Sequence, residues 1–214
     1  FLKKPLDEIR DINFYSKSNG LTTPYGQVVS KPRIERVIKE IYGFSDYHKR
    51  LQTVEVFNLD QEKSKLPFRK GLAIMPAKFG ISFNKPSFNQ AGALVHVYSD
   101  GSVRLNHGGT EMGQGLFIKV AQVVAECFKI PLEQIHITST NTAEVPNTSA
   151  TAASSGSDLN GMAAWEAASK IKNRMINHAS QLFQKPKSEV IFENGRILAG
   201  NKSLSFSELT FSCW

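Results

Sequence analysis

The sequence has 214 residues, 41% hydrophobic and 21% charged, with a formal net charge of +7. These proportions suit a globular chain in water, no apolar run is as long as a membrane-spanning helix requires, and Cys127 and Cys213 alone build no disulfide framework. The positive balance does not mark a nucleic-acid binder, because the cations from Lys3 to Lys172 are scattered rather than drawn into a stripe interleaved with aromatics.

The opening "FLKKPLDEIRDINFY" has no signal-peptide layout and no initiator Met. The sequence therefore reads as a piece of something longer, and the cysteine usage points to a reducing cytoplasm. Residues 1–30 are polar, carry Gly20, Pro24 and Gly26, and are expected to be irregular. From Ser30, a candidate N-cap followed by Pro32, the apolar residues Ile34, Val37, Ile38 and Ile41 recur at helical spacing. "DYHKRLQTVEVFNLDQEK" predicts a second helix, although Leu51, Val54 and Val56 also suit a short strand. "KSKLPFRK" is a charged connector.

The texture changes at Lys70. "GLAIMPAKFGISF" has the composition of a buried strand. "AGALVHVYSDGSVRLNH" predicts a hairpin turned at Asp100–Gly101. A helix follows, with Leu116, Val120, Val123, Val124 and Cys127 on one face and Pro131 at its end. "EQIHIT" is a short strand. A long helix then carries Asp158 in its first turn and Met162, Trp165, Ala168, Ile171 and Met175 along one side. "EVIFENGRILAG" is a hairpin turned at Asn194–Gly195, and "SLSFSEL" opens a last helix. Helices mixed with hairpins give an α+β class rather than a doubly wound α/β one.

Both long helices of this region are entered through small residues, "GGTEMGQG" and "NTSATAASSGSD". Bare backbone lets a ligand come close, and a helix start offers unpaired N–H groups and the positive end of a dipole. Gln114, Ser154 and Ser155 add uncharged donors. The alternative is close packing or simple capping. Neither stretch is a P-loop or the dinucleotide fingerprint, so the residues by themselves define a cofactor-sized pocket lined by main-chain amides. His96, His107, His136 and His178 have no metal-ligand spacing. Cys127 falls on an apolar face. Glu111 suits either acid–base work or the ordering of its own loop, and Phe79, Phe83 and Phe88 suit either a core or a stacking surface.

"KFGISFNKPSFNQAGALVHVYSDGSVRLNHGGTEMGQG" followed by "PNTSATAASSGSDLNG" resembles the molybdopterin-binding subunit of bacterial xanthine dehydrogenases. These belong to the xanthine oxidase and aldehyde oxidase family of molybdenum hydroxylases. The resemblance runs from about Pro5 to Leu209 and is strongest from Lys78 to Gly161. It implies that residues 1–69 are a helical connecting region and that residues 70–214 are part of the second molybdopterin cofactor-binding domain, truncated at the C-terminus. The implied chemistry is hydroxylation of a carbon beside nitrogen in hypoxanthine or xanthine, or of an aldehyde carbon, with oxygen from water. Electrons then pass to Fe–S clusters, FAD and NAD carried by other segments or a smaller subunit, and molybdenum is held by the pterin rather than by side chains.

The resemblance also assigns residues. Met112, Gln114, Ala153, Ser154, Ser155 and Gly156 match cofactor-contacting positions, and Phe83, Phe88 and Ala152 match substrate-pocket positions. Asn84 replaces the family's usual threonine in "SFT", and Lys85 replaces an apolar residue. The general-base glutamate, a further cofactor-facing glutamine and the substrate-binding Glu and Arg match no residue here. The chain is therefore expected to need the remaining segments of the large subunit as partners and to be inactive alone. The alternatives are an inert degenerate remnant and a basic module binding another anion. After Leu209, "TFSCW" departs from the family pattern.

Overall fold

The computed structural model describes residues 2–144 and 148–214. The chain forms two compact units, residues 1–79 and 80–214.

In the first unit three helices form: α1 (Leu6–Asn13), α2 (Ile34–Phe44) and α3 (Tyr47–Lys63). The α1 helix departs from the irregular structure expected of residues 1–30; Pro5 precedes it and Asp7 and Glu8 sit in its first turn, where a carboxylate suits the helix dipole. The α2 helix starts at Ile34, with Arg33 at its N-cap and no side-chain cap, so Ser30 does not start it. Asp46, in the left-handed conformation, turns the chain from α2 into α3. Across that turn Tyr42 stacks on Tyr47 at 5.1 Å between ring centroids. The ambiguous Leu51–Val56 stretch is helical.

The buried strand expected over residues 71–83 does not form. Leu72, Ile74 and Pro76 are half-buried while Ala73, Met75 and Ala77 are exposed, which is the two-residue alternation of a strand without a ladder. Met75 and Phe79 are 79% and 72% exposed. Composition gives a segment its β-propensity, but a partner strand must be present for pairing.

The second unit holds two three-stranded sheets. In the first, β1 (Ala93–Val97) pairs antiparallel with β2 (Val103–His107), and β2 pairs parallel with β3 (Ile135–Ile137). The hairpin turns where expected. Asp100 Oδ1 accepts from the Ser102 amide and hydroxyl at 2.9 and 2.7 Å, and Gly101 has φ +87°. A Cβ on Gly101 would also lie 2.9 Å from Ser207 Cα, so this glycine is required by packing as well as by dihedral. The parallel β2–β3 pair needs a crossover, and α4 (Leu116–Phe128) supplies it. Lys129 in the left-handed region ends α4 two residues before Pro131.

The long helix α5 (Gly156–Phe183) packs along α4 and onto β1. Its buried face runs through Gly161, Ala164, Ala168, Met175, Ala179 and Phe183. Met162 is 59% exposed, and Trp165 is also partly exposed, so the expected face through these two large residues is corrected. Small side chains admit the close approach of α4, while the bulky ones lie at the margin. Val103, Leu105, Val120, Val124 and Ile197 are fully buried in the shared core.

The second sheet is a meander of β4 (Ile191–Glu193), β5 (Arg196–Ala199) and β6 (Lys202–Ser205), turned at Asn194–Gly195. "SLSF" is thus strand before helix. Ser205 and Glu208 then form a reciprocal capping box that starts α6 (Phe206–Ser212). Thr210, past the expected point of departure, is buried, and its hydroxyl donates to Ser207 O at 2.8 Å. Among the described residues, six α-helices and two small sheets make an α+β fold.

Candidate functional site

The bare stretch before α4 has two separate causes. A Cβ on Gly108 would come within 2.3 Å of Thr148 Oγ1, and one on Gly109 within 2.6 Å of Leu116 Cδ2 and 2.8 Å of Asn160 Nδ2. These glycines are therefore occupied by packing. Gly115, with φ +75°, caps α4 in the left-handed conformation. Between them Glu111 folds back on the helix start. Its Oε1 accepts from the Gly113 and Gly115 amides, each at 2.9 Å, and its Oε2 from the Phe117 amide at 3.0 Å. The Phe117 amide, then those of Gly115 and Gly113, hold this carboxyl below the usual carboxylate range. Gln114 closes the loop further: its Oε1 accepts from the Met112 amide at 2.6 Å and its Nε2 donates to Thr110 O at 3.0 Å. The expectation that the amides before α4 stand free for a ligand is corrected, because side chains of the same loop already engage them.

The start of α5 differs. Ala153 and Ser154 both have φ +53°, an uncommon conformation for residues with a Cβ. Ser155 is 2% exposed and donates its hydroxyl to Ala152 O at 3.1 Å, facing inward. No protein acceptor engages the Gly156, Ser157 and Asp158 amides among the described residues. Thr151 Oγ1 accepts from the Thr110 amide at 2.8 Å, a direct link between the two helix starts.

A cleft of about 440 Å³ lies between them. Met112, Gln114, Leu116 and Lys119 line it from the α4 side, and Thr151–Ser154 with Gly156 and Ser157 from the α5 side. Of the six expected cofactor positions, Met112, Gln114, Ala153, Ser154 and Gly156 face the cleft and Ser155 does not. Ala152 lines it as well. Lys119, Thr151 and Ser157 were not singled out from sequence, although Lys119 is the one cation in the apolar α4.

Phe83 and Phe88 meet edge to face at 6.1 Å, outside the cleft lining. Asn89 grips the Phe83 backbone at both ends, accepting from its amide at 2.9 Å and donating to its carbonyl at 2.8 Å. The Ser82 amide donates to Ala153 O at 2.9 Å, which hangs this loop on the α5 start. Asn84 is exposed, and the Lys85 ammonium lies 4.8 Å from the Phe88 ring centroid.

Behind the cleft His107 is 1% exposed. Its Nδ1 accepts from the Gly109 amide at 3.1 Å, which puts the proton on Nε2, and burial pushes its pKa down. This neutral ring meets Phe117 edge-on at 5.2 Å. Among the described residues its Nε2, like Asn106 Oδ1 and Asn160 Oδ1, has no hydrogen-bond partner. His96 lies on β1, Cys127 is buried in the core, and among the described residues no three His, Cys, Asp or Glu side chains gather as a metal site.

Open amides, the Ser154 and Ser157 hydroxyls and the Lys119 ammonium form a set of donors, and Met112 and the alanines add apolar wall. Such a set suits a polar organic cofactor bearing a phosphate, held largely by backbone. The chain belongs to the molybdopterin cofactor-binding domain family, which it matches over residues 41–214. Among curated proteins it is 47% identical over 168 residues to a xanthine dehydrogenase of Dictyostelium discoideum, covering 78% of this chain and 12% of that protein. It is 48% identical over 171 residues to a xanthine dehydrogenase/oxidase of Mus musculus, covering 80% and 12%. The chain thus spans about an eighth of the length of these relatives and is similar to a section of a molybdenum hydroxylase. In fold it is similar to CO dehydrogenase from Oligotropha carboxidovorans, with a TM-score of 0.72 at 19% identity over 97% of this chain and 27% of that one. Quinoline 2-oxidoreductase from Pseudomonas putida 86 gives a TM-score of 0.68 at 17% identity over 96% and 27%.

Proposed function

We propose that this chain forms one wall of the molybdopterin site, and the adjoining part of the substrate pocket, in a xanthine dehydrogenase-type hydroxylase acting on hypoxanthine and xanthine. The observation that carries the reading is the cleft between two linked helix starts, in a chain nearly half identical to xanthine dehydrogenases. When bound, the cofactor supplies the redox chemistry by which oxygen from water enters the substrate carbon.

This chain's residues bind and orient. The Gly156, Ser157 and Asp158 amides, with the Ser154 and Ser157 hydroxyls, donate to the phosphate and polar edges of the pterin, and Lys119 adds charge. Met112, Ala152 and Ala153 exclude water. Gln114 reaches the cofactor only by giving up Met112 N and Thr110 O, so its amide is a latch that the ligand must displace. The Phe83–Phe88 pair faces the substrate ring, and Asn84 presents an amide to its polar edge. Glu111 is not the proton acceptor of the reaction: its carboxylate is committed to three amides and held ionised. Residues 1–69 serve as the helical connecting region and residues 70–214 as part of the second cofactor-binding domain. The rest of the large subunit, the Fe–S and FAD modules and NAD complete a cytoplasmic enzyme, and the chain alone does not turn over.

The test is to reconstitute the purified chain with molybdopterin and measure pterin fluorescence after gel filtration, beside xanthine-dependent dye reduction. We expect retained pterin, no turnover, and at least about tenfold weaker retention in Ser157→Pro, which removes one open amide together with the Ser157 hydroxyl in a turn where proline is tolerated. Equal retention by the variant, or no retention by either protein, sinks the proposal.

A further inference from the structure

The cations of the N-terminal stretch are scattered in sequence, yet four of them meet in space. Arg10, from the last turn of α1, Lys31 and Arg33, from the approach to α2, and Lys78 all line one cavity of about 440 Å³ within the first unit. Among the described residues no carboxylate lines it. Arg10 donates to the Met75 sulfur at 4.0 Å, and the Lys78 ammonium donates to the Tyr15 hydroxyl at 2.7 Å. Among the described residues none of the four joins an ion pair, and Lys31 and Arg33 have no side-chain partner. Like charges gathered round one cavity repel unless a ligand supplies the opposite sign. The α2 helix starts at Ile34, itself in the lining, so the positive end of its dipole adds to the same field.

The remaining walls are flat and apolar. Phe14, Tyr15 and Phe79 line the cavity, and Lys78 lies 4.6 Å from the Tyr15 ring centroid. Aromatic walls accept a ring and cations accept an acid group, and the volume is that of a small-molecule site. Four cations gathered round one cavity also do not make the continuous basic stripe along the surface that a polymer would need.

We propose that residues 1–79 carry a binding site for a small aromatic anion, of the aryl phosphate or mononucleotide class. The site shares no lining residue with the cleft at α4 and α5 and does not depend on the molybdopterin reading. The ring packs on Phe14, Tyr15 and Phe79, and the acid group is held by Arg33, Lys31 and Lys78.

The test is isothermal titration calorimetry of the full chain with phenyl phosphate, inorganic phosphate and benzyl alcohol at low salt. Phenyl phosphate is expected to saturate one site, at least about tenfold tighter than either of the other two, with affinity falling as salt rises. The Arg33→Gln/Lys78→Gln variant is expected to lose about tenfold, and Ser157→Pro to bind like the parent. Equal affinity for inorganic phosphate, or indifference to the double substitution, overturns the proposal. A single-stranded oligonucleotide that displaces phenyl phosphate at lower concentration than phenyl phosphate itself binds overturns it in favour of a nucleic-acid surface. If circular dichroism shows the double variant unfolded, Lys31→Gln replaces it, since Lys31 is exposed with no side-chain partner; about threefold weakening supports the site and unchanged affinity overturns it.

Discussion

The entrances to α4 and α5 are built from the same small residues, but one is closed and the other open. Before α4, Glu111 and Gln114 occupy the amides of their own loop. Before α5, two left-handed residues, Ala153 and Ser154, turn the chain so that Ser155 points inward and the next amides stay open. Glycine content alone does not distinguish a ligand cradle from a packed corner. What decides is whether an anion is already present in the chain to satisfy the helix start.

The largest effect is expected where the closed entrance is packed. Gly109→Ala would place a methyl 2.6 Å from Leu116 Cδ2 and 2.8 Å from Asn160 Nδ2, both on buried residues. Overpacking of this kind costs about 1–3 kcal/mol, to be read from the urea midpoint. Gly113→Ala meets no atom within 4 Å and is strained only by its φ of +95°, so it should cost less. Equal losses in the two variants would refute the packing account of the double glycine.

Glu111→Gln sharpens the comparison next, since it removes the charge that closes α4 while keeping the shape. We expect a lower melting temperature at neutral pH and a more mobile Met112–Gly115 loop by amide hydrogen exchange. The sign of the pH dependence follows from the lowered carboxyl. A depressed folded pKa gives stability that is complete above the unfolded carboxylate value and lost as pH falls through the folded value. The gap between parent and variant should therefore narrow on acidification. A gap that widens in acid would mean that Glu111 is not held ionised by those amides.

Much of the fold was legible because its signals are local. Asp100–Gly101 and Asn194–Gly195 fix two hairpins by dihedral preference, and the periodic apolar residues of α4 mark its buried face. The failures are tertiary. "GLAIMPAKFGISF" has strand composition, yet among the described residues no strand pairs with it, and Met75 and Phe79 stay exposed. On α5 the expected face holds at Ala168 and Met175, which are buried, but fails at Met162 and Trp165, which are exposed, while Ala164 is buried beside Ala168 where α4 packs along the helix. At the site, Met112, Gln114, Ala153, Ser154 and Gly156 come together at one cleft. Closure by Glu111 and Gln114 was only half legible, since a side chain's choice between ligand and own backbone depends on loop geometry that spacing does not encode. Ser155 points inward for the same reason.

The hydrogen bond linking the entrances gives a smaller effect. Thr151→Val keeps the volume and removes the acceptor of the Thr110 amide. Thr110 is exposed, so water can replace that acceptor, and the loss should be about 1 kcal/mol or less. Faster exchange of the Thr110 amide is the direct readout. Unchanged exchange would show that the two starts are held together by packing alone.

The smallest effect belongs to Lys119, which lies on α4 but faces the cleft that α5 leaves open. It is exposed, so its attraction for a phosphate is weakened by water and by salt. Lys119→Met keeps the length of the side chain and its contact with the wall while removing the charge. Retention of pterin should fall about two- to fivefold at low salt, the range of an exposed charge pair. The difference should vanish at high salt, whereas the loss in Ser157→Pro should persist because an amide hydrogen bond is short-ranged. If Lys119→Met costs more than Ser157→Pro, a charged side chain on the closed side would grip the ligand harder than the open amides do, and the contrast between the two entrances would be reversed.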